Sequence, residues 1–168
     1  MKIKIFRTII LLLLIGTFFI IFRFSSQNGT QSKGISTKVT EVILEKSSKY
    51  NQLDNKEKKK VFNRANAVIR KIAHFSIYTL VGLLLMGIMT RTKLKDKRRI
   101  LITVVIGIIY ATLDEFHQSF SPGRTPKITD VYIDTLGVIL GILLVLTARE
   151  IYNRYITNRL QRVTKNVI

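Results

Sequence analysis

Four apolar runs, separated by polar and basic stretches, set the plan of this 168-residue chain. Thr8 to Phe22 is almost wholly apolar and follows a basic start with Lys2, Lys4 and Arg7. Ile72 to Thr90, Ile100 to Phe120 and Ile128 to Ala148 are the other three, and the third is cleanly apolar only as far as Leu113. A hydrocarbon core of about 30 Å is crossed by a helix of roughly 20 apolar residues. A spanning backbone must satisfy its own hydrogen bonds, which a helix does. The pattern therefore predicts an all-α fold, an integral membrane bundle of four transmembrane helices.

The first run starts like a secretory signal. Its exit, Arg23-Phe24-Ser25-Ser26-Gln27, has no small-x-small cleavage site, so an uncleaved first helix over 1–24 is expected. Residues 25–70 are the one long polar segment. Ser25 to Gly34 has loop composition, and Ser36 to Tyr50 has the spacing of a short amphipathic helix with Val39, Val42 and Ile43 on one side. Asp54 and Glu57 are placed as a helix-starting capping pair. Val61, Phe62, Ala65, Val68, Ile69 and Ile72 then form a helical stripe that runs into the second span. Residues 71–148 hold three spans, and 149–168 form a basic tail.

Charge places the ends of the spans. The chain has 28 Lys and Arg against 10 Asp and Glu. Such an excess suits nucleic acid or an anionic membrane surface. Here the basic residues gather at the ends of apolar runs, so the partner expected is the lipid bilayer. The run Lys56, Lys58, Lys59, Lys60 lacks interleaved aromatics and gives no nucleic-acid signal. Residues 91–99 carry six basic side chains in nine positions. By the positive-inside rule the N-terminus, this loop and the tail are expected in the cytoplasm, with 25–70 and 121–127 outside. There is no cysteine, which excludes disulfide and thiolate chemistry.

This topology brings ionisable residues of three helices to one side. His74 lies near the outer start of the second span, Asp114, Glu115, His117 and Gln118 near the outer end of the third, and Asp130 and Asp134 near the outer start of the fourth. Ser121-Pro122-Gly123-Arg124 is a tight turn, so the third and fourth spans must be antiparallel neighbours. Residues three or four apart share a helical face. Arg70, His74 and Tyr78 are so placed, as are Asp114, His117 and Gln118. Asp130, Asp134, Gly137 and Gly141 make a stripe whose glycines form a small-xxx-small pair, so the acidic face is also the packing face. Asp114 and Asp134 fall one to two turns inside the outer ends, which implies a polar pocket opening outward. Ionisable groups at such depth mark functional sites.

Each residue also has a plainer reading. His74 can serve packing by bonding a carboxylate, and Asp114, Glu115 and Asp134 can be an ion-pair network. Arg124 in its turn can anchor at the interface or clamp an anion in a bidentate grip. His74, Glu115 and His117 are ligand types for Zn²⁺, but two histidines without fixed spacing assign no metal, and no cofactor motif is present.

The segments AHFSIYTLVG (73–82) and DEFHQSFSPGRTPKITDVYIDTLGVILG (114–141), with FSSQNG (24–29), resemble the VanZ-like family of bacterial membrane proteins. The resemblance implies a small polytopic protein of mainly Gram-positive envelopes. It further implies a role in resistance to teicoplanin and related glycopeptides, which bind the D-Ala-D-Ala end of cell-wall precursors. Lys71, His74, Tyr78, Asp114, Glu115, Gln118, Arg124 and Asp130 carry over from the family pattern. Two positions depart from it: Ile77 stands where a Glu is frequent, and Asp134 where an Asn is frequent. Three functions fit these residues. The first is a membrane-embedded enzyme on an envelope or lipid-linked substrate, with His74, Asp114, Glu115 and Asp130 as catalytic candidates and Lys71, Tyr78, Gln118, Arg124 and Asp134 binding substrate. The second is a non-catalytic protein that binds drug, precursor or partner. The third is a small transporter. The residues leave the oligomeric state open.

Overall fold

A computed structural model describes residues 2–25, 33–120 and 126–165. These form α1 (Lys2–Ser25), α2 (Lys33–Glu45), α3 (Ser48–Asn51), α4 (Asn55–Met89), α5 (Asp96–Gln118) and α6 (Ile128–Lys165), with no strand among them. Four of the helices, α1, α4, α5 and α6, are long and apolar enough to cross a membrane. Their outer surfaces are apolar. Leu12, Leu101, Leu113, Leu136 and Leu143 are each more than half exposed, as side chains facing lipid should be. The all-α membrane bundle expected from the pattern is the fold.

Helix boundaries follow local chemistry. Asp54 accepts from the Glu57 N–H at 2.7 Å and starts α4, as the capping spacing predicts. The amphipathic stripe after it joins the second span in one helix of 35 residues. At about 1.5 Å per residue such a helix measures roughly 50 Å, so its first half stands clear of a core of about 30 Å. Thr40, on α2, is buried where its hydroxyl meets Asn66 of that first half at 3.3 Å. Three boundaries differ from the sequence reading. Ser25 ends α1 instead of opening the loop. The amphipathic segment breaks into α2 and α3, where Ser47 caps the second piece. The fourth span continues through the basic tail to Lys165 as one helix, in which Arg154 pairs with Glu150 one turn earlier at 2.8 Å.

Contacts between the long helices fix their directions. Arg91 lies over the Phe6 ring at 5.1 Å, while at the other end of α1 the Ser25 hydroxyl donates to Asp114. α1 and α5 thus run the same way. Arg149 meets Asp96 at 2.9 Å and the Lys127 N–H meets Glu115 at 2.9 Å, so α6 runs opposite to α5. α4 and α6 are parallel, and they pack most closely. A Cβ on Gly137 would stand 2.5 Å from the Phe75 carbonyl oxygen, and Cβ atoms on Gly82 and Gly141 would collide with the carbonyls of Val138 and Thr79. Val138 is fully buried, with its methyl groups 2.8 Å from where a Cβ on Gly107 would lie. The glycines are therefore the condition for bringing α4 and α6 within backbone contact.

Candidate functional site

The parallel α4 and α6 run in register, so residues at equal depth meet. Lys71 Nζ lies 3.5 Å from Asp130 Oδ1, and one turn deeper His74 Nδ1 lies 3.8 Å from Asp134 Oδ1. α5 closes the third side with Glu115 and Gln118. The result is a cavity of about 260 Å³ at the end of the bundle where α1 and α5 finish and α6 begins. Arg70, Lys71 and Lys127 are its cations; His74, Glu115, Gln118, Asp130 and Asp134 are its other polar walls.

The acidic groups differ in how they are held. Glu115 is buried, and its Oε2 accepts the Lys127 N–H, just before the first turn of α6. Asp114 is buried behind the cavity. Its Oδ1 accepts from Ser25 of α1 and its Oδ2 accepts from Gln118 Nε2 at 3.0 Å. Asp130 is only partly buried and Lys71 is exposed; such a pair is worth about 0–1 kcal/mol. Asp134 is wholly buried, and neither of its oxygens has a hydrogen-bond donor among the described residues. Tyr78, one turn below His74, is likewise fully buried, with Asp114 and Asp134 as its nearest charged neighbours. Its ring lies 6.3 Å from that of Tyr110, whose hydroxyl donates to the Phe18 carbonyl at 2.8 Å.

Of the residues singled out in the sequence, Lys71, His74, Glu115, Gln118, Asp130 and Asp134 line one cavity. Asp114 stands directly behind it, and Tyr78 lies below. Arg124 falls outside the described residues. The trio of His74, Glu115 and His117 is not what the fold gathers, since the His117 ring stacks on Phe22 of α1 with centroids 4.5 Å apart. The set brought together is His74, Asp114 and Asp134, each offering a ligand atom within 4.8 Å of the others. Two contributors escape the sequence reading. Lys127 acts through its backbone, which leaves no mark in the sequence. Ser25 could be found, because Leu14, Thr17, Ile21 and Ser25 recur at helical spacing and are all buried.

Fold and cavity define an all-α membrane protein with a polar recess at one end of its bundle. The chain belongs to the VanZ/LLP1 family, whose sequence model matches residues 9–149. No curated protein and no solved structure matches it.

Proposed function

We propose that the cavity is the working site of a cell-envelope protein that lowers susceptibility to glycopeptides of the teicoplanin type. It opens to the outer face, with both chain termini in the cytoplasm. Arg70, Lys71 and Lys127 receive the anionic part of an envelope or lipid-linked substrate. His74, Glu115 and Asp130 are the candidates for moving a proton on it, since each stands at the cavity wall with a charged or hydrogen-bonding neighbour. The observation that carries this reading is the meeting of cations and acid/base groups from three spans in one recess within the apolar bundle. Scattered structural ion pairs have no reason to share a cavity.

A susceptibility assay tests it. Cells carrying His74→Ala, Glu115→Gln, Arg124→Ala or Asp130→Asn should lose protection while the protein stays at its normal level in membranes. Full protection in all four removes the site. The binding-only reading draws support from Asp114, whose two oxygens are both engaged by hydrogen bonds. Turnover of lipid-linked precursor by the purified protein separates the two, because a binding protein retains affinity and releases the precursor unchanged.

A further inference from the structure

We propose that His74, Asp114 and Asp134 form a binding site for one divalent transition-metal ion at the inner wall of the cavity. The three side chains come from α4, α5 and α6, and their ligand atoms lie within 4.8 Å of one another. One pair, His74 Nδ1 and Asp134 Oδ1, is 3.8 Å apart. Bonds of about 2.0–2.2 Å from a shared ion place its donors somewhat closer than this. Ion binding therefore draws the three side chains inward.

An acidic cluster alone would say little. Asp134 adds an independent observation: it is fully buried, aimed into the group, and without a hydrogen-bond donor on either oxygen among the described residues. Buried carboxylates are paired or bind metal.

Asp114 is built as metal-ligating carboxylates are. Ser25 and Gln118 hold its two oxygens from behind, and each oxygen keeps a second lone pair for an ion. A neutral imidazole with two carboxylates carries two negative charges, which a divalent cation neutralises. Among the described residues no lysine or arginine pairs with Asp134: Lys71 faces Asp130, and Arg70 lines the same cavity without a hydrogen bond to Asp134. One imidazole with two carboxylates and no thiolate favours Zn²⁺ or Mn²⁺ over Ca²⁺. Three protein ligands leave a coordination position toward the cavity, where a substrate oxygen or water can bind.

The proposal deepens the reading of the cavity as a working site by naming what its floor holds, but ion binding requires no turnover. The test is therefore metal uptake by the full-length protein in detergent, stripped with chelator and then dialysed against Zn²⁺ or Mn²⁺. Wild type should take up about one ion per chain, and the ion should raise its unfolding temperature. Asp134→Asn and His74→Ala should lose both effects. Gln118→Ala should weaken uptake roughly 10–100-fold through Asp114. Glu115→Gln, in the cavity but outside the ligand set, should bind as wild type does. No uptake by folded wild-type protein overturns the site, as does wild-type uptake by Asp134→Asn and His74→Ala. Since wild type alone decides the first point, a variant that fails to fold leaves the test intact. Neither outcome touches the susceptibility assay, which judges the cavity by itself.

Discussion

Ser25 donates a hydrogen bond to Asp114, eighty-nine residues further along the chain. The last residue of α1 is thereby tied to a buried carboxylate of α5, at the end of the bundle that holds the cavity. The first span is part of the site's support as well as a membrane anchor.

Removing that hydroxyl takes away the donor to Asp114 Oδ1 and leaves Gln118 on Oδ2. Hydrogen bonds to charged groups are worth about 1.5–3 kcal/mol. Ser25→Ala should destabilise the protein by that amount, seen as a lower unfolding temperature in detergent. Ser25→Thr, which keeps the donor, should recover most of it.

The α4 and α6 contact depends on missing side chains. Gly141→Ala puts a Cβ against the Thr79 carbonyl and 2.5 Å from the Leu83 nitrogen, both backbone atoms that cannot yield without moving a helix. Overpacking of this kind costs roughly 1–3 kcal/mol. Gly16→Ala meets nothing within 4 Å and should be neutral or stabilising by up to about 1 kcal/mol, because Ala is the better helix former. Thermal unfolding of the two variants side by side checks the contrast.

The chain has no cysteine, so single introduced cysteines report the side of the membrane without background. Lys49→Cys, on α3, should react with a membrane-impermeant maleimide on intact cells. Lys93→Cys, between α4 and α5, should react only after permeabilisation. The reverse pattern would place the cavity on the cytoplasmic face and remove its access to an outer substrate.

How much of this was legible follows from where the signals lie. The four spans are plain because apolar runs of that length have no other economical use, and the capping pair Asp54 and Glu57 marks the start of α4 directly. The meeting of His74, Asp130 and Asp134 follows from topology, since it needs only the helix directions and the depth of each residue. The closeness of α4 and α6 is written in Gly137 and Gly141. Ser25 is harder to read: its neighbours Ser26, Gln27, Asn28 and Gly29 have loop composition, and only its phase with Ile21 points inward. The Glu115 contact is hidden because its partner is the Lys127 backbone, which any residue but proline would supply. His117 misleads for a related reason. It shares a face with Asp114 by spacing, yet α1 offers it the Phe22 ring, and a neighbouring helix decides the direction that spacing leaves open.

The convergence of α4 and α6 at the cavity is tested most directly by crosslinking. Lys71→Cys with Asp130→Cys, in the otherwise cysteine-free chain and in native membranes, should be joined within one chain by a short bifunctional thiol reagent, because the tips of the side chains they replace approach to 3.5 Å. Efficient crosslinking is the expected result. Two thiols that are each labelled by a monofunctional reagent but not joined by the bifunctional one, in a protein inserted at normal levels, would contradict a shared cavity between these helices.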